Sequence, residues 1–225
     1  MSLLSILKGW FGEKATQFGM WAKLDEETYM RFHNLIIQTE NGTTQIDHIL
    51  LSRYGIFVIE TKNYNGWIYG GEKQKSWTQN LFGKKSHFQN PLHQNYKHTK
   101  ALSECLQVEH SKIHSIVFFI GDAELKSDFP PNVMSRGLSS YIESFTKVIF
   151  SESEVEMLRR NLEKLRNGQG SSRQHAQSLR DRYSDTAKCP KCGGRLVERT
   201  ARNGPRAGEK FIGCSSYPKC RHIKT

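Results

Sequence analysis

The chain has 225 residues, 24% of them charged, and a formal net charge of +11, with a mean hydropathy of −0.62. Its longest apolar run, around Ser115–Ile120, falls far short of the roughly 20 residues a helix needs to cross a bilayer. Five cysteines, four of them clustered near the C-terminus, argue against a secreted disulfide scaffold and for a reducing, cytoplasmic compartment.

Met1–Gly12 is apolar but lacks the charged start and small-residue cleavage site of a signal peptide, so a short packing helix is expected there. Gly12–Leu24 reads as a helix, with a further helical turn over Asp25–Arg31. His33–Thr39 is strand-like, Asn41-Gly42 is a hairpin signal, and Gln45–Ser52 is the next strand. Arg53-Tyr54-Gly55 turns the chain into a strand over Ile56–Lys62. A short strand at Trp67–Tyr69 follows, then Trp77 beyond a polar turn. Asn90-Pro91 opens a helix over Leu92–Gln107. Ile113–Ile120 has the continuous apolar character of a buried strand. Ala123–Phe145 reads as loop, Lys147–Phe150 as a last strand, and Glu152–Arg166 as a helix capped by the preceding serine. The order implies an α/β (α+β) core, a mixed sheet flanked by helices.

Asn167-Gly-Gln-Gly-Ser-Ser172 marks a boundary. It divides the chain into a main domain, 1–166, a linker, 167–187, and a small module, 188–225. The charge is uneven across it. Residues 171–225 hold 13 Lys or Arg against 4 Asp or Glu, so nearly all of the positive excess sits in the last quarter, where it favours a polyanionic partner.

Two strands of the main domain carry candidate chemistry. Ile46-Asp47-His48-Ile49 sets an acid inside an apolar strand. Ile56–Lys62 ends with Glu60 and Lys62, which alternation places on one face. The turn at Arg53–Gly55 makes the strands neighbours, so Asp47 can approach Glu60. Two carboxylates beside an ammonium suit a hard divalent cation with oxygen ligands. Alternation alone favours the plainer reading, a salt bridge of Lys62 with Asp47 or Glu60 at a strand end. Gln94 and His98 share one face of the following helix.

Gly12-Glu13-Lys14, Gln45-Ile46-Asp47-His48-Ile49, Gly55-Ile56-Phe57-Val58-Ile59-Glu60-Thr61-Lys62-Asn63, Gly66-Trp67-Ile68 and Asn90-Pro91-Leu92-x-Gln94 occur in order over roughly residues 8–125. This string resembles the nuclease-related domain (NERD), a branch of the PD-(D/E)XK restriction-endonuclease-like superfamily. Ile46 stands where the superfamily's name has proline. The resemblance implies a Mg²⁺- or Mn²⁺-dependent phosphodiesterase with Glu13, Asp47, Glu60 and Lys62 at the site. Asp47 and Glu60 would be the metal ligands, and Gln94 would occupy the place of a helix-borne glutamine.

Cys189-Pro-Lys-Cys192 and Cys214-x(5)-Cys220 are separated by 21 residues, the arrangement of two thiolate knuckles closing a structural Cys₄ zinc site. Cys189-Pro-x-Cys-Gly-Gly-x-Leu followed by Gly208-x-x-Phe211-Ile-Gly-Cys214-Ser-x-Tyr217-Pro-x-Cys220 resembles the C4 zinc finger of bacterial type I topoisomerase tails. That resemblance implies binding of DNA, chiefly single-stranded. Phe211 and Tyr217 would offer stacking surfaces, and Lys191, Arg195, Arg199, Arg202, Arg206, Lys210 and Arg221 would follow phosphates. The expectation is a metal-dependent nuclease delivered to DNA by a zinc ribbon. The alternative is a DNA-binding or repair accessory protein without turnover.

Overall fold

The computed structural model describes residues 24–39, 42–168, 189, 191–192, 194–201, 203 and 207–224. The helix expected over Gly12–Leu24 lies outside these residues but for Leu24. The expected linker lies outside them but for Asn167 and Gly168, which end a helix. The chain divides into two compact units, described in turn.

The first unit is built on a five-stranded mixed sheet in the order β1-β2-β3-β7-β9. Strands β1 (Met30–Thr39), β2 (Gly42–Ser52) and β3 (Gly55–Asn63) follow one another along the chain. The segment before β1 forms one turn, with Asp25 Oδ2 accepting from the amide of Thr28 at 2.8 Å. The β2–β3 turn depends on Gly55, whose φ is +135°. A Cβ there would meet His114 Nε2 at 2.6 Å. Strand β3 is buried from Gly55 to Glu60, because it pairs on one side with β2 and on the other, in parallel, with β7 (Ile113–Ile120).

A second sheet, β6-β5-β4-β8, holds β4 (Gly66–Tyr69), β5 (Ser76–Leu81), β6 (Lys84–Gln89) and β8 (Ala123–Leu125). Strand β9 (Val133–Met134) and helix α2 (Leu138–Glu143) complete the stretch that reads as loop in the sequence. Parallel pairing of β3 and β7 needs a crossover, which α1 (Pro91–Leu106) supplies. Lys147–Phe150 is not the strand the sequence predicts. The amides of Ile149 and Phe150 converge on a single acceptor, the Arg53 carbonyl, at 2.8 and 3.1 Å, and a ladder cannot grow from one acceptor. Helix α3 (Glu152–Gly168) opens with a capping box. Glu154 accepts from the Ser151 amide at 2.7 Å, and Ser151 Oγ accepts from the Glu154 amide at 3.3 Å.

The main sheet is covered on both faces. Leu102 and Leu106 of α1 and Val155, Leu158 and Leu162 of α3 pack with Ile49, Leu51, Ile56 and Val58 on one face. Leu24, Tyr29, Leu138 and Ile142 close the other over Leu50, Phe57 and Ile59. Trp77 joins the second sheet to β7 through Val117 and Phe119. Its ring lies so close to Gly70 that a Cβ there would stand 2.3 Å from the indole Cγ. Among the described residues no helix is long and apolar enough to cross a membrane.

Asn90 joins the second sheet to α1. Its Oδ1 caps the helix by accepting from the Leu92 amide at 2.9 Å, while the carbonyls of Gly71, Glu72 and Gln74 converge on its Nδ2. Asn90→Ala removes the cap and the donor shared by these carbonyls, of which only that of Gly71 keeps a second one, Trp77 Nε1. The expected loss is about 1–3 kcal/mol, read as a lowered midpoint in thermal or urea unfolding, with Asn90→Asp recovering only the cap.

The second unit holds a three-stranded antiparallel sheet, β10 (Leu196–Thr200), β11 (Lys210–Cys214) and β12 (Ile223–Lys224). Its core among the described residues is the four cysteines with Leu196. So small an apolar cluster cannot hold a ribbon without a staple.

Candidate active site and zinc centre

The β2–β3 ladder runs out to His48 opposite Ile59. One step beyond, Asp47 comes beside the end of β3. Asp47 Oδ2 accepts from the Thr61 amide and from Thr61 Oγ1, both at 3.0 Å. Glu60 is 2% exposed and sits where three groups meet. Lys62 Nζ donates to Glu60 Oε1 at 2.6 Å and to Gln94 Oε1 at 2.9 Å. His98 Nε2 lies 3.3 Å from Glu60 Oε2.

Helix α1 is held against these strands by a buried asparagine. Asn95 Nδ2 is within 2.9 Å of the Val58 and Ile116 carbonyls and of Ser115 Oγ. That anchor reaches both β3 and β7, and it presents Gln94 and His98, one residue before and three after, to the end of β3. Strand β3, through Lys62, and α1, through His98, thus meet at the Glu60 carboxylate.

The electrostatics separate the two acids. Burial pushes Asp47 above the ordinary carboxylate range, and the Glu60 charge pushes the same way against the Thr61 hydrogen bonds. Burial opposes ionisation of Glu60 too. Its hydrogen bonds with His98 and Lys62 and the Lys62 charge outweigh that and hold it below the ordinary value. Lys62 supplies one positive charge against two carboxylates. The remaining imbalance and the all-oxygen donor set of Asp47 and Glu60 fit a hard divalent cation.

The structure therefore brings together Asp47, Glu60, Lys62 and Gln94. Glu13 lies outside the described residues. His98, which touches Glu60, and Thr61, which orients Asp47, are not among the site residues expected from the sequence. For His98 the signal is present, since it stands one turn after Gln94. Thr61 carries no such signal, because its hydrogen bonds to Asp47 depend on strand register.

In the second unit the ligand atoms of Cys189, Cys192, Cys214 and Cys220 lie within 4.8 Å of one another, as four thiolates around one tetrahedral ion require. The Ser216 amide donates to Cys214 Sγ at 3.4 Å, stabilising the thiolate form. Beside this centre runs a groove of about 890 Å³ lined by Arg199, Phe211, Tyr217, Arg221 and His222 among others. Tyr217 is 59% exposed, and the Arg199 guanidinium sits 5.6 Å from its ring centroid. Phe211 is half-buried, and Lys191, Arg195 and Arg221 are exposed. Lys210 is drawn to Glu198 at 2.8 Å. Arg202 and Arg206 lie outside the described residues.

Comparison with known proteins agrees with both units. Residues 8–120 match the nuclease-related domain, NERD. The chain belongs to that family and so to the PD-(D/E)XK superfamily. Residues 186–225 match the topoisomerase DNA binding C4 zinc finger. An uncharacterised protein of Bacillus anthracis is 46% identical over 158 residues, covering 66% of this chain and 72% of that one. DNA topoisomerase 1 of Helicobacter pylori strain J99 is 53% identical over 36 residues. Those residues make up 16% of this chain and 4% of the topoisomerase, so the likeness is confined to the ribbon. The solved structure of a protein of unknown function, AF1548, aligns with 76% of this chain and 93% of its own at 16% identity, with a TM-score of 0.32.

Proposed function

We propose that this protein is a divalent-cation-dependent nuclease that hydrolyses phosphodiester bonds in DNA, with the zinc ribbon holding the substrate. The observation that carries the reading is the placement of Lys62 Nζ between Glu60 and Gln94 beside Asp47. An ammonium has three N–H donors. Two are spent on Glu60 and Gln94, and the third is directed to substrate. Glu60, ionised over the working pH range, holds the Lys62 ammonium in place. Lys62 therefore acts as a donor that orients the attacking water and stabilises charge growing on a phosphate oxygen.

Asp47 and Glu60 would hold Mg²⁺ or Mn²⁺, which when bound polarises the phosphate and lowers the pKa of a bound water. Thr61 fixes one oxygen of Asp47 toward the site, and Gln94 fixes the lysine. The water oxygen forms the new bond to phosphorus as the ester oxygen leaves.

Incubation of purified protein with end-labelled single- and double-stranded DNA tests this, with and without Mg²⁺. Divalent-dependent cleavage supports it, and salt-sensitive binding with no cleavage under any divalent cation refutes it. One observation favours that second outcome, a binder without turnover: both Glu60 oxygens already have Lys62 or His98 alongside.

The ribbon groove combines two arginines with an exposed tyrosine, the composition that stacks bases and follows a backbone. Single strands are the favoured partner, because their bases are free to stack. Tyr217→Ala is expected to weaken binding of a labelled single strand about 5- to 150-fold, from about 1–3 kcal/mol of base stacking. The effect on a blunt duplex is expected to be smaller. Fluorescence anisotropy at fixed salt reads both.

A further inference from the structure

The tip of the β5–β6 hairpin has no part in the active site or the ribbon. Leu81 pairs with Lys84, which leaves Phe82-Gly83 as a two-residue turn. Phe82 has φ +50° and Gly83 φ +82°. Such turns favour Asn, Asp or Gly at both positions, and a bulky side chain in the left-handed region is strained. Phe82 is also 97% exposed. The residue thus costs stability twice, by backbone strain and by apolar surface left in water, and it packs nothing in return.

Its surroundings have a direction. On one side a hollow of about 400 Å³ is lined by Phe82, Lys84, Lys85, Gln79 and Ser86 with Leu81, and both lysines are exposed. On the other side lie Asp122 and Glu124, the latter paired with Lys126. A polyanion is drawn to the lysine side, where two ammonium groups stand unopposed among the described residues, rather than to the side that carries Asp122. A rigid two-stranded arm with an aromatic tip and a basic flank has the make-up of a wedge that enters a base step while its lysines hold the backbone.

We infer that Phe82 inserts between bases of the DNA, with Lys84 and Lys85 on the adjoining phosphates. This rests on the nuclease reading for the identity of the partner. Strand β6 runs from the tip into Asn90 and α1.

The test uses full-length zinc-loaded protein and duplexes carrying 2-aminopurine at single positions, without divalent cation so that nothing is cleaved. Wild-type protein is expected to raise the fluorescence several-fold at one position, by unstacking. Phe82→Asn, which suits the turn and holds or raises the unfolding midpoint, is expected to lose most of that rise. Phe82→Trp should keep it, and Lys84→Glu with Lys85→Glu should weaken binding about 10-fold and lower its salt dependence. An unchanged rise in Phe82→Asn overturns the inference. Because the signal needs no turnover, it decides the wedge even if the protein fails to cleave DNA with Mg²⁺.

Discussion

Asp47→Asn is expected to melt higher than the wild-type protein while losing cleavage. The Asp47 pKa is raised in the fold, chiefly by burial and then by the Glu60 charge. Its protonated form therefore favours folding, a benefit complete below its ordinary value of 3.8 and lost as pH rises through the folded value. At neutral pH the ionised carboxylate works against the fold. Asparagine keeps the shape and can still accept from Thr61, so removal of the charge should raise the midpoint by about 2–6 °C. Cleavage should fall by about 10²–10³-fold or more, the usual effect of deleting one preorganised electrostatic group.

Lys62→Met gives the opposite stability result with the same loss of activity. Glu60 is 2% exposed and would lose the ammonium 2.6 Å away. Removing one partner of a buried pair costs about 3–5 kcal/mol, reduced toward about 2 here because the Lys62 side chain is 18% exposed. The Glu60 pKa lies below its ordinary value of 4.5. Its contribution is therefore present above that value and lost as pH falls through the folded one. Lys62→Met should flatten this acid limb of the stability profile. A stabilising loss of function beside a destabilising one separates active-site electrostatics from general damage.

Removal of zinc is the second large effect. The ribbon's core is the four cysteines and Leu196, so metal binding and folding of this unit are one free energy. Cys214→Ser, or treatment with a strong chelator, should lower zinc from one ion per chain to about none. It should also erase the near-ultraviolet signal of the ribbon's aromatic groups and weaken single-strand binding at least about 10-fold. The unfolding transition of the first unit should persist. Full DNA affinity in a zinc-free protein would remove the ribbon from substrate binding.

How much of this could be read in the residues follows from which interactions are local. The strands β1 to β3, α1 and α3 are legible because their apolar periods and the Pro91 start are encoded in neighbouring residues. Asp47, Glu60 and Lys62 can be found because alternation and a tight turn are enough to bring them together. Cys189, Cys192, Cys214 and Cys220 carry their own spacing.

The second sheet is harder to read. Strand β6, Lys-Lys-Ser-His-Phe-Gln, is mostly exposed and has no apolar alternation, so only its pairing with β5 makes it a strand. Strand β8 and strand β9 are three and two residues long and exist through parallel pairing with β4 and β7, contacts no local pattern encodes. Lys147–Phe150 reads as a strand from its apolar residues, yet packing of Phe150 against the α3 face and the shared Arg53 carbonyl give it another use. The role of His98 against Glu60 likewise waits on the helix–strand packing that Asn95 sets.

The most direct measurement is the rate of phosphodiester cleavage by wild-type protein as Mg²⁺ is titrated, on single- and double-stranded DNA, with Asp47→Asn alongside. Hydrolysis should appear with the cation, saturate, and vanish in the variant, whose zinc content and fold stay intact. Cleavage of equal rate in Asp47→Asn, or none in the wild type with Mg²⁺ or Mn²⁺, would contradict a hydrolytic centre at Asp47, Glu60 and Lys62.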